Sequence, residues 1–147
     1  EVTAKADRIE LDSHGAAIID FKTGAPPSAK EVAAGYSPQL TLTGAILEAG
    51  GFAPDAPAAT PTELLYVQLK GRKDAGKMVE ISKGEAETLS AQALADLKVY
   101  VERFDDARTP YISWAAPQKM GTFGGNYDHL ARVWEWHVVG GEDGEGE

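Results

Sequence analysis

A four-residue turn signal, Asp12-Ser13-His14-Gly15, lies between two short segments that alternate apolar and polar side chains. Asp in the first position and Gly in the fourth suit a type I turn, so the chain must double back as a β-hairpin. The segments read as strands over residues 4–12 and 16–22. With a two-residue loop, Asp12 faces Gly15, Leu11 faces Ala16, Ile9 faces Ile18 and Asp7 faces Asp20. Side chains alternate along a strand, so Lys5, Asp7, Ile9 and Leu11 share a face with Ala16, Ile18, Asp20 and Lys22. That face is apolar near the turn and charged at its far end. A slip of one residue would send Asp7 and Asp20 to opposite faces, unless a bulge near Gly15 compensates.

Like charges directly opposite each other destabilise a hairpin by roughly 0.2–1 kcal/mol when exposed. A divalent cation between them reverses that sign. Hard cations such as Mg²⁺ and Mn²⁺ take carboxylates, carbonyls and waters. Asp7, Asp20 and the Phe21 carbonyl make a plausible shell, and Lys22 is placed to orient a water or offset charge on a phosphate. Asp and Lys on strands more often form a solvated face, and composition alone favours that plainer reading.

Ala6-Asp7-Arg8-Ile9-Glu10, then Asp20-Phe21-Lys22-Thr23-Gly24, then Gly35-Tyr36-Ser37-Pro38-Gln39-Leu40 resemble the motifs of RecB-type PD-(D/E)XK nucleases. Those motifs run roughly G-x-x-D-R-I-D, D-Y-K-T-G and a helix with Q-x-x-x-Y. Thr109-Pro110-Tyr111 and the stretch from Tyr127 to Val133 resemble the C-terminal end of alphaproteobacterial AddB-type subunits of helicase–nucleases that process double-strand breaks. The resemblance implies a restriction-endonuclease-like α/β fold, a mixed sheet flanked by helices. It implies Asp7, Asp20 and the Phe21 carbonyl as ligands for Mg²⁺ or Mn²⁺, Lys22 as catalytic lysine, and Gln39 as a helper at the scissile phosphate. It also implies a single strand of DNA as substrate, an AddA-like partner subunit and a cytoplasmic setting.

The chain departs from the pattern in three places. The family has an upstream helix whose His or Glu completes the metal site, and Glu1 lies nearly at the first core strand, so the chain reads as a C-terminal piece. Thr43 stands where the motif has Tyr. Many AddB proteins carry an iron–sulfur cluster, and a chain without cysteine supplies no thiolate for one.

The length of 147 residues suits one domain, and zero Cys excludes a disulfide framework. No apolar run reaches the roughly 18 residues of a membrane span, so no membrane association is expected. The net charge of −9 opposes a free-standing nucleic-acid binder, although Glu142, Asp143, Glu145 and Glu147 supply part of it. The domain is expected over residues 1–139, with an acidic disordered tail over 140–147.

Farther along, residues 25–31 read as a loop, and a helical pattern runs from about Glu31, with Pro38 near a helix start, to a stop at Gly50-Gly51. Gln39 would point at the charged end of the hairpin if this helix crosses the sheet; an exposed amide at a helix end is the plainer alternative. Strands are expected over Leu64 to Leu69 and Met78 to Ile81. In the turn between them, the charges of Arg72 and Lys73 read as solvation. Ser82-x-x-Glu85 reads as a capping box opening a long helix, with Leu89, Ala93, Leu97, Tyr100, Val101 and Phe104 as its packing stripe. The order β-β-α-β-β-α predicts an α/β sandwich around a mixed sheet.

Residues 105–126 interleave Arg108, Tyr111, Trp114 and Lys119 with Phe123 and glycines. Such a loop can stack bases and hold phosphates, though packing or partner contact is favoured over DNA. A short helix is expected from Tyr127 to Trp136. The three histidines have no metal-ligand spacing, and neither a P-loop nor a serine nucleophile elbow occurs. A non-catalytic docking or DNA-binding module of the same fold, and a stand-alone nuclease, remain as alternative readings.

Overall fold

The computed structural model describes residues 1–71 and 76–111. The chain divides into two compact units, Glu1–Arg103 and Phe104–Glu147. Within the described residues the elements are β1 (Arg8–Leu11), β2 (Ala16–Lys22), α1 (Ala29–Ala33), α2 (Gln39–Glu48), β3 (Pro61–Leu69), β4 (Gly76–Glu80) and α3 (Ala86–Asp105).

The hairpin takes the predicted register: Leu11 pairs with Ala16, Ile9 with Ile18 and Arg8 with Ile19, antiparallel. The turn is closed by Asp12, whose N–H donates to the Gly15 carbonyl at 3.0 Å. Its carboxylate accepts the N–H groups of His14 at 2.7 Å and Gly15 at 2.9 Å. These bonds hold the Asp12 carboxyl below its ordinary range, the His14 N–H first. Gly15 has a φ of +150°, and a Cβ there would run into the Thr60 carbonyl and the Thr62 methyl, so this corner admits only glycine. β1 is shorter than expected, and Asp7 sits just before it.

The sheet has four strands in the order β1-β2-β3-β4. β2 and β3 run parallel, with Ile18 opposite Leu64 and Asp20 opposite Tyr66; β3 and β4 are antiparallel. A parallel pair needs a long crossover, and residues 23–60 supply it with α1 and α2. This is the mixed α/β sheet with flanking helices that the sequence led us to expect. α1 falls partly in the expected loop: Ser28 accepts the Glu31 N–H while the Glu31 carboxylate takes the Ser28 N–H, a reciprocal cap. Pro38 precedes α2 as its N-cap residue.

The core packs Ala16, Ile18, Leu64 and Tyr66 of one sheet face against Val32, Leu40 and Leu47 of the helices, with Ile81 and Ala86. Since Ile18, Asp20 and Lys22 alternate on one face, packing α2 over Ile18 also brings α2 over the charged end.

Two expectations about α3 change. The Ser82 hydroxyl does not cap it. Ser82 is buried, accepts the Leu64 N–H at 3.2 Å and donates to the Glu80 carboxylate. The Glu85 carbonyl instead takes the Leu89 N–H, and the helix opens at Ala86. The sheet's need for a partner to a buried Leu64 N–H outweighs the local cap. The packing stripe also holds only in part: Leu89, Ala93 and Leu97 are half-buried, whereas Tyr100 and Val101 are exposed. α2 has 10 residues and α3 has 20. At a rise of about 1.5 Å per residue, α3 is about 15 Å longer than α2.

Candidate active site

Asp20 closes the charged end of β2 and is 5% exposed. Its two oxygens have different surroundings. Oδ1 accepts the Gln39 side-chain N–H at 2.6 Å. Oδ2 lies 2.7 Å from the Lys22 ammonium as an ion pair, without the angles of a hydrogen bond, so this buried oxygen has no hydrogen-bond partner. Gln39 closes the triangle, because its Oε1 accepts from Lys22 Nζ at 2.9 Å. An amide has one donor side and one acceptor side, and here each faces the charge it suits.

The position of Gln39 follows from local sequence. Pro38 starts α2, Gln39 is its first residue, and the apolar Leu40 and Leu47 bind the helix to the sheet. Thr43, one turn on, is buried and donates its hydroxyl to the Gln39 carbonyl at 2.7 Å. The first turn is thereby held, but Thr43 presents no phenol where the family motif has one.

Asp7 is anchored from the other side: its Oδ2 accepts the Phe21 N–H at 3.0 Å. In an extended strand a residue's N–H and C=O leave toward the same neighbour, so the Phe21 carbonyl also opens on the side of Asp7. Asp7, Asp20, Gln39 and Thr43 line one crevice, and Lys5 joins them. A groove next to it is lined by Lys5, Asp7, Phe52 and Asp55. Lys5 was placed on this face by the strand alternation, but nothing in the sequence marks it as a site residue.

Tyr66, on β3 opposite Asp20, was missed by the sequence reading. It is fully buried, its ring lies under the Lys22 ammonium at 5.5 Å to the centroid, and its hydroxyl has no hydrogen-bond partner. Burial, with the Asp20 charge second, pushes its phenol up to about 12. A Tyr amid Leu and Val on a strand looks like ordinary core, so only the pairing with Asp20 reveals it.

These residues suit a divalent metal. Two carboxylates and a carbonyl are hard oxygen donors, and Asp20 Oδ2 already draws one cationic group, the Lys22 ammonium at 2.7 Å. Among the described residues no three His, Cys, Asp or Glu side chains gather, so waters would fill the rest of the shell.

Of the remaining DNA-contact candidates, Arg108 and Tyr111 belong to the second unit. Arg108 is clamped by Asp106, its Nε donating at 3.0 Å and a terminal nitrogen at 2.8 Å. That fork lowers the Asp106 carboxyl and raises the guanidinium. Tyr111 stacks on Phe104 with centroids 4.9 Å apart and remains 83% exposed. Trp114, Lys119, the expected helix from Tyr127 to Trp136 and the acidic tail lie outside the described residues, as do Arg72 and Lys73. No described helix is long and apolar enough to cross a membrane.

No solved structure matches the chain. One similar curated protein is an uncharacterised protein of Rickettsia conorii (RC0550), 46% identical over 48 residues. The match covers 32% of this chain and 6% of that protein, so the chain spans a small part of its relative's length. Residues 1–115 match the PD-(D/E)XK nuclease superfamily. Over most of its length, with the mixed sheet and the paired aspartates before Lys22, the chain belongs to that superfamily and is a nuclease-type domain.

Proposed function

We propose that this domain hydrolyses DNA phosphodiester bonds with a divalent metal, as the nuclease part of an AddB-like subunit working in the cytoplasm beside an AddA-like partner at double-strand breaks. The observation that carries the reading is the closed Asp20–Gln39–Lys22 network next to Asp7. A solvated strand face has no reason to bury a carboxylate and cross-link it to a helix. Burying an ion pair is at best weakly stabilising, so the arrangement suits function better than stability.

Asp7, Asp20 and the Phe21 carbonyl would hold Mg²⁺ or Mn²⁺. When bound, the cation polarises a water and offsets charge on the phosphate. Gln39 keeps Lys22 extended and Asp20 turned. The Lys22 side chain, 29% exposed, carries the ammonium that would stabilise the charge gathering on the phosphate as the new P–O bond forms and the bridging one breaks.

Calorimetric titration with Mn²⁺ tests the ligand set: saturable binding is expected, and Asp20→Ala should lose it. Cleavage of single-stranded DNA should fall about a hundredfold or more in Asp20→Ala and in Lys22→Ala, with circular dichroism unchanged. Folded variants that cut like the wild type would sink the assignment.

A second reading is a non-catalytic module that retains the nuclease fold for DNA binding or subunit docking. Thr43 in place of the motif's Tyr and the net charge of −9 favour it. Saturable Mn²⁺ binding that Asp20→Ala abolishes would count against it.

A further inference from the structure

Lysine carries its charge on a long, flexible stem and must be held to act at one point. Three groups meet the Lys22 ammonium here: Gln39 Oε1, Asp20 Oδ2 and the face of the Tyr66 ring. The first two are polar and both reach in from the site itself. The ring is the only apolar member of the three, and it is fully buried. It belongs to β3, and its Cα pairs with Asp20 of β2, so the parallel ladder sets the ring beside the carboxylate and beneath the lysine at once.

A leucine in that place would fill the core and leave the ammonium over an aliphatic surface, which offers a cation nothing. The negative face of an aromatic ring attracts it. The tyrosine hydroxyl makes no hydrogen bond, so the part of this side chain that meets Lys22 is the ring and not the hydroxyl.

We propose that Tyr66 is a positioning residue: its ring holds the Lys22 ammonium beside Asp20 and Gln39. Its consequence for cleavage rests on the nuclease reading above, but the placement of the lysine does not. With the ring removed, Lys22 keeps only its polar partners Asp20 and Gln39 and loses the surface beneath it, and turnover falls while DNA binding, set by other groups, is kept.

The test uses the 147-residue chain and begins with a measurement that needs no activity. Protons of the Lys22 ε-methylene, assigned by their disappearance in Lys22→Arg, should be shifted upfield by the Tyr66 ring current. The shift should persist in Tyr66→Phe and vanish in Tyr66→Leu. An ordinary lysine shift in the wild type overturns the proposal even if Tyr66→Leu does not fold, and so does a shift that survives in a folded Tyr66→Leu. Cleavage is the second readout. Tyr66→Leu should lose about tenfold in kcat with KM for DNA unchanged, and Tyr66→Phe should restore at least half of the wild-type kcat. A Phe variant as slow as the Leu variant overturns the role of the ring. A wild type that shows the ring-current shift but cuts no DNA counts against the nuclease reading and supports the placement of Lys22 by Tyr66.

Discussion

Among the residues, Gln39 is the one whose loss separates the two jobs of the site. It touches Asp20 and Lys22 but fills no core position. Gln39→Ala should therefore lower cleavage about tenfold or more and shift the unfolding midpoint little, which paired kinetics and thermal denaturation would show. Tyr66 predicts a pH dependence. Its folded-state pKa, near 12, lies above the ordinary value of 10. The unfolded chain therefore releases this proton first as pH rises. The stabilising contribution is complete below about pH 10 and is lost as pH climbs toward 12. Tyr66→Phe should remove that part of the alkaline decline, measurable by denaturant unfolding between pH 9 and about 11.5. The motif residues Asp7, Asp20, Lys22 and Gln39 were legible in the sequence because their types and spacing carry chemistry. Tyr66 and Lys5 were not, since each is ordinary in its strand until a neighbouring element arrives.

Among the elements, α2 approaches α3 at Gly44 and Ser90. A Cβ on Gly44 would collide with Ser90 Oγ, and Ser90 is buried with its hydroxyl unpartnered. Gly44→Ala should cost about 1–3 kcal/mol through overpacking. Ser90→Ala removes an unsatisfied hydroxyl and should leave stability unchanged or raise it by up to about 1 kcal/mol. Chemical denaturation of both variants gives the comparison, and a Ser90→Ala protein less stable than wild type would show that the hydroxyl has a partner in solution. At this scale the hairpin register was readable because turn residues and alternation agree. The Ser82 cap was misread because the same hydroxyl is wanted by Leu64, 18 residues away along the chain, and no local pattern shows that competition.

On the scale of the whole molecule, charge sets the terms of DNA binding. With 23 acidic and 14 basic residues, the chain carries an acidic excess that opposes the negative charge of the phosphates. Single-stranded DNA should bind weakly, with a log–log salt slope of only about −1 to −3. Lys5, lining the crevice with Asp7 and Asp20, should supply one of these contacts. Lys5→Ala should flatten the slope by about one, as read by fluorescence anisotropy across a salt series. An unchanged slope would remove Lys5 from the DNA path. The sheet face opposite α2 carries Phe21, Leu69 and Met78, all exposed; their alternation is visible in the sequence, but their exposure is not.

By itself the sequence determined what is local or periodic: the hairpin and its register, the start of α2 at Pro38, the α/β order of elements and the residue types of the site. Turn chemistry and side-chain alternation act over a few residues, so they can be read along the chain. Only the tertiary structure decided that Gln39 bridges Asp20 and Lys22, that Tyr66 lies beneath the lysine and that Ser82 serves the sheet. The first two contacts join residues brought together by the crossover between β2 and β3, and the third joins β3 to a residue just past β4; the energies of all three depend on burial, which no single segment possesses before the others pack against it.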